Sequence, residues 1–345
     1  MSIGEGSGVR QMKIFKYILS FFALIGIFSC ESEFDPILAT DPIPLVYSLI
    51  DNSDTAHWVK LSRTFIMNKG VTTQNISTDS LGFPGARVFL ERWNGDYIYD
   101  RAELQYYEIP RKPGLFPATP NPLYFLPRSE STMGLFSEPN PNDVVKLIVD
   151  IPNLPIVYSQ AVSQKPIKVV VPRKNGENPY LYGEKVWEVK WSTSAYYTEL
   201  FLELCYFDHY NDSVVAKSST WREFHSIPNQ SSVYRHTGYT EPIGGQHLMV
   251  RIAANLDKPG RQVRYRSFDR INIYYYSTDK NVYTNNITSQ IKSIDQTGIQ
   301  FNNIVNGLGL FGTRSRAERW FVLSFVGMDS LTKGQYTKDL GFVNW

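Results

Sequence analysis

Chemistry in this chain would have to come from five histidines, two cysteines and 33 carboxylates. The histidines are His57, His209, His225, His236 and His247. No two stand at the spacing that sets a pair of imidazoles around zinc on one helical face. His209 follows Asp208 beside a turn, which suits a solvated or structural ring better than a metal ligand. The sequence contains no GxSxG elbow, no Walker phosphate loop and no calcium-loop pattern. GLGLFG (307–312) superficially resembles a nucleotide loop, but it lacks the glycine spacing and the following helix of a dinucleotide site. Paired carboxylates could hydrolyse glycosides, yet the sequence singles out no pair. The chain reads as non-enzymatic, without cofactor or metal.

Cysteine chemistry points elsewhere. Lys13 and Lys16 precede an apolar run from Tyr17 to Phe28, then Ser29 and Cys30. About 12 apolar residues are too few to cross roughly 30 Å of hydrocarbon as a helix; they suit the core of an export signal. Ile27-Phe28-Ser29-Cys30 has the form of a bacterial lipobox, with Cys30 as the lipid acceptor and residues 1–29 as the signal peptide. Residues 1–11 are Gly-rich, so both Met1 and Met12 serve as candidate starts. Several acyl chains, each adding about 0.8 kcal/mol per buried CH₂, would anchor the protein firmly to membrane lipid. Glu31, Glu33 and Asp35 follow Cys30, an acidic cluster that resembles a surface-export signal of envelope lipoproteins. The expected location is the outer membrane, lipid-anchored and facing the surface rather than the periplasm. Cys205 is then without a disulfide partner and reads as a buried structural thiol within Leu200–Phe207.

Charge narrows the partners. The sequence has 35 basic and 33 acidic residues; removing residues 1–29 leaves 32 of each. A balanced surface without a basic block gives no electrostatic basis for nucleic-acid binding.

The elements that must carry these residues are mostly strands. Residues 30–44 form an acidic, Pro-containing tether. Leu45–Ile50 and His57–Leu61 read as paired strands. Gly85–Trp93 alternates, with Ala86, Val88 and Leu90 on one face, and Asn94-Gly95 predicts a tight hairpin into Tyr97–Tyr99. The six prolines between Pro110 and Pro127 predict loop or edge structure. Val144–Ile151 is an apolar strand closing a domain at 45–152, followed by a junction at 153–172. The C-terminal domain, 173–345, has strands at Val186–Trp191, Glu199–Phe207, His247–Ala253, Arg270–Tyr276 and Arg319–Val326. Their spacing suits a fibronectin type III-like sandwich. Val282–Ile294 is the one helix expected, with Thr284 as its cap. The fold class is therefore all-β, with two sandwich-like domains. Gly307, Gly309 and Gly312 imply backbone that turns tightly or passes close to other chain.

Two further surface readings follow. Aromatic residues make up 14% of the chain, and exposed Tyr or Trp could stack on glycans or anchor protein interfaces. In Tyr274-Tyr275-Tyr276, the outer two share a face and Tyr275 takes the other. Thr55, Ser80, Ser213 and Ser330 each follow an Asp and precede an apolar residue. These tripeptides resemble O-glycosylation acceptors of Bacteroidota envelopes and equally suit turns.

The lipobox with its acidic tail, LVYSLI…HWVKLSRTF, GARVFLE and NIVNGLGLFG together resemble a Bacteroidota outer-membrane lipoprotein family of unknown function. Its genes often lie beside TonB-dependent receptors. Typical members read LVVEG in the first strand, where this chain has LVYSL. The resemblance implies a two-part β-rich surface lipoprotein, accessory to an outer-membrane transport or assembly complex, with an outer-membrane barrel protein as partner. The alternative expectation is a carbohydrate-binding surface lipoprotein using exposed Tyr and Trp.

Overall fold

The computed structural model describes residues 42–63, 82–109, 121–130, 134–140, 142–228, 237–291 and 301–344. Its fourteen strands are β1 (Pro44–Asp51), β2 (Ala56–Arg63), β3 (Arg87–Asn94), β4 (Tyr97–Ile109), β5 (Asn121–Pro127), β6 (Asp143–Asp150), β7 (Val157–Val162), β8 (Lys168–Val171), β9 (Val186–Thr193), β10 (Tyr197–His209), β11 (Val214–His225), β12 (Thr237–Gly244), β13 (Tyr265–Thr278) and β14 (Leu308–Phe321). Three helices interrupt them: α1 (Gly245–Asn255), α2 (Lys280–Ile291) and α3 (Phe325–Lys333). The fold is all-β and sandwich-like.

One sheet runs β11-β10-β13-β14-β1-β2-β5-β4-β3-β6-β7. Alternation sets its inner face: Val46, Val59, Leu90, Leu147 and Val157 point into one core, and each is fully buried. The expected tight β3–β4 hairpin forms, but its two-residue turn is Gly95-Asp96 rather than Asn94-Gly95: Asn94 pairs with Tyr97 at the strand end, and Gly95 alone takes positive φ (+57°). Strands β1–β7 curl until β7 meets the segment before β14. There Val305 N–H donates to the Tyr158 carbonyl (2.9 Å), Ser159 Oγ to the Asn303 carbonyl (2.6 Å) and Asn306 Nδ2 to the Ile156 carbonyl (2.8 Å). These bonds satisfy an edge that would otherwise be open.

The second core lies between two layers. β12-β9-β8 faces β11-β10-β13-β14, the three-on-four order of a fibronectin type III-like sandwich. Trp191, Leu202, Ile273 and Tyr275 fill it, joined by Leu248, Met249 and Ile252 of α1 and Leu331 of α3.

β14 belongs to both parts. Leu308–Arg314 pairs in parallel with β1, and Arg314–Phe321 pairs antiparallel with β13. The glycines before and within it do what their clustering implied. Gly309 has φ +128°, and a Cβ there would lie 1.9 Å from the Val46 carbonyl oxygen. A Cβ on Gly312 would meet Val282 of α2 at 2.4 Å. Close strand and helix approach, not ligand cradling, explains this motif.

Several expectations are corrected. His247–Ala253 is helical, because Leu248, Met249 and Ile252 meet the core at helical spacing and Gly245 lets the backbone close on Tyr182. Residues 325–326 start α3, where the Ser324 hydroxyl accepts the Gly327 N–H, and do not continue the late strand. α2 begins earlier than expected. Asp279, not Thr284, caps it, its carboxylate accepting the Val282 N–H at 2.9 Å; the Thr284 hydroxyl instead donates to the Lys280 carbonyl. β5 is internal despite its prolines, since Pro122 and Pro127 sit near its ends and leave Leu123–Leu126 free to pair. Strand β7 lies within the stretch read as a junction.

Candidate functional site

Cys30 and Ser80 lie outside the described residues. Thr55 and Ser213 are exposed, in the β1–β2 and β10–β11 turns. Ser330 is not in a turn. It sits in α3, half-buried, its hydroxyl donating to the Val326 carbonyl, because the Ser324 cap carries the chain into a helix there. These positions are scattered and make no common site.

Cys205 is half-buried, not buried, on the outer face of β10. Its Sγ lies 3.4 Å from Asn272 Nδ2. Burial, then the nearby Glu203 carboxylate, push the thiol up to about 11, so it stays protonated and poorly nucleophilic at neutral pH. Among the described residues no group of three His, Cys, Asp or Glu is placed to hold a metal. The described histidines are dispersed. His209 stacks on Tyr265, His247 pairs with Glu223, and His57 is buried against Phe136. No described helix is long and apolar enough to cross a membrane.

Alternation on β1, β2, β5 and β4 that buries the first core turns other side chains outward. On that outer face Trp58 stacks on Phe125 (5.1 Å between ring centres, planes 22° apart), and Tyr107 meets Phe125 edge-on at 5.6 Å. Trp58 and Phe125 are direct cross-strand partners, and Tyr107 comes from the next strand. Tyr47 faces the same way from β1, and the parallel register adds Leu45 with Leu308 and Tyr47 with Leu310. Tyr47, Trp58 and Tyr107 are 43%, 39% and 49% exposed. Trp58 and Phe125 each cover one ring face of the other. No motif marked this face; strict alternation on four strands, read together with their pairing order, is the signal that defines it.

Tyr274 and Tyr276 share the outer face of β13, their rings 6.4 Å apart, while Tyr275 is fully buried in the second core. The Tyr274 hydroxyl donates to Glu203 at 2.7 Å. A groove of about 550 Å³ opens farther along this face, between α2 and the β10–β11 hairpin. Tyr197, Glu199, Phe201, Arg222 and Tyr283 line it. Sequence reading missed it because its walls come from segments more than 50 residues apart.

No protein-family model and no curated protein matches the chain. Among solved structures, the chain is similar to the C-terminal globular domain of an oligosaccharyltransferase from Pyrococcus abyssi. Identity is 10% and the TM-score 0.19, over 81% of this chain and 47% of that one. The chain thus spans about half the length of that structure, and a likeness this weak carries no functional argument.

Proposed function

We propose that the mature protein is a non-catalytic lipoprotein of the cell envelope, lipid-anchored through Cys30 to the outer membrane and facing the surface. It serves as an accessory partner of an outer-membrane transport or assembly complex, and its contact surface is the aromatic outer face of β1-β2-β5-β4. The observation that carries this reading is the aromatic row of exposed Tyr47, Trp58 and Tyr107 with half-buried Phe125 between them. Exposed aromatic clusters of this kind supply the anchors of protein interfaces. The tether supports an outer-membrane barrel protein as the occupant. The fourteen residue-to-residue steps from Cys30 to Pro44 reach at most roughly 50 Å when fully extended, so β1 stays near the bilayer.

The test has two parts. Cys30→Ala should abolish lipid labelling and release the protein from membranes; unchanged labelling and fractionation would sink the anchor. Tyr47, Trp58 and Tyr107 together changed to Ser should abolish mild-detergent copurification of an outer-membrane barrel while leaving lipid labelling intact. Equal recovery of the barrel with the triple variant would remove this face from the proposal.

A further inference from the structure

The groove between α2 and the β10–β11 hairpin points to a second function, independent of the aromatic face. We propose that it binds a neutral polyhydroxyl ligand, a saccharide unit, between Tyr283 and Phe201 over the Glu199–Arg222 pair.

The argument starts from the floor. Glu199 on β10 pairs with His225 and Arg222 on β11 pairs with Phe201, so Glu199 and Arg222 meet diagonally across the hairpin. Arg222 Nη1 donates to Glu199 Oε1 at 3.0 Å, and the Tyr197 hydroxyl donates to the same oxygen at 3.0 Å. Both bonds fall on Oε1. Among the described residues no bond falls on Glu199 Oε2, which can still accept, and the Arg222 guanidinium has N–H donors beyond Nη1. The floor therefore presents acceptor and donor side by side with opposite charges that cancel. An anion would meet the carboxylate, and a cation would meet the guanidinium. A pair of neighbouring hydroxyls, each able to donate and accept, satisfies both at once.

The walls match the other half of a sugar's chemistry. Phe201 from β10 and Tyr283 from α2 are half-exposed rings, and apolar C–H faces pack on such rings. Tyr283 is held by a tilted contact with Tyr197 (4.7 Å) and an edge-on contact with Tyr196 (5.5 Å). Phe201 is held edge-on by Tyr276 (5.8 Å). Both rings are thus fixed before a ligand arrives, which lowers the entropic cost of binding. Asn286 and Ser289, both exposed, add amide and hydroxyl groups at the rim. The volume of about 550 Å³ lies within the range of small-ligand sites, about 300–1,000 Å³.

The test uses the full-length lipoprotein in detergent micelles on an array of neutral hexose, pentose and N-acetylhexosamine oligomers, beside sulfated and uronic-acid oligomers. Binding to the neutral set is expected, with affinities of any hit measured by calorimetry. Glu199→Gln and Tyr283→Ala should each weaken that hit at least tenfold. Tyr283→Phe, which keeps the ring, should bind within threefold of wild type and guards against a folding artefact. Trp58→Ser, on the aromatic face, should leave glycan binding unchanged. No neutral glycan bound, a preference for the acidic set, or a hit indifferent to Glu199→Gln and Tyr283→Ala would each overturn the inference. None of these outcomes bears on copurification of a barrel partner.

Discussion

His57 makes the first core sensitive to acid, and the size of the effect can be worked out. The ring lies flat on Phe136, 3.8 Å away with planes 2° apart. Nε2–H donates to the Leu135 carbonyl at 3.2 Å, while Nδ1 is buried without a partner. Protonation would place a charge and an unpaired donor in that spot. Burial accordingly lowers the ring from 6.5 to about 4, with the Leu135 bond and Asp51 opposing and Arg128 assisting. The unfolded chain takes up the proton near pH 6.5 and the folded chain only near pH 4. The stabilising contribution of a neutral ring is therefore complete above pH 6.5 and is lost as pH falls to 4. A shift of about 2.5 units corresponds to about 3 kcal/mol. His57→Phe keeps the stack but leaves the Leu135 carbonyl unpaired, a cost of about 1 kcal/mol at pH 8. The two curves should cross. The variant should be less stable than wild type by about 1 kcal/mol at pH 8 and more stable by about 2 kcal/mol at pH 4. Urea denaturation followed by tryptophan fluorescence at half-unit pH steps measures this. A wild-type-minus-variant difference that stays constant from pH 8 to pH 4 would refute the reasoning.

Asp279 has the opposite sign: burial raises its carboxyl from 3.8 to about 7, so stability falls as pH rises through that window. Asp279→Asn keeps an acceptor for the Val282 N–H and should stabilise the protein by up to about 4 kcal/mol above pH 7, an advantage that vanishes below pH 4 in the same denaturation assay. Gly309→Ala must relieve a Cβ approach of 1.9 Å at positive φ; a loss of more than about 3 kcal/mol is expected, and a Tm within two degrees of wild type would contradict it. Arg92 is buried and bound to Asp143 at 2.5 Å, so Asp143→Asn strands its charge; the expected cost is about 3–5 kcal/mol, read as the shift in urea midpoint.

Much of the strand pattern was legible because alternation and turn chemistry are local. Val88 and Leu90 declared their buried face, and Gly95 marked a tight hairpin, one residue later than the Asn94-Gly95 turn expected. The glycines at 307, 309 and 312 announced close approach but not to what, since Val46 and Val282 are distant in sequence. α1 was misread because seven residues of mixed apolar character fit either period, and only its neighbours decide. His57 gave no sign of its burial, because Leu135 and Phe136 that enclose it come 78 and 79 residues later. The groove was hidden for the same reason, as α2 reaches β10 only in the folded chain.

β14 carries a consequence for how the protein is made. Arg314 bonds Asp51 across 263 residues of sequence, and β1 has no parallel neighbour until β14 arrives. A chain delivered from its N-terminus exposes β1–β7 first, with Phe311 and Ile304 missing from their core. At roughly 5–20 residues per second of synthesis, that wait lasts on the order of ten seconds or more. Throughout it, apolar strand edges stand open. A holdase chaperone would therefore have its longest engagement with the first half of this protein, and release would follow emergence of the last forty residues.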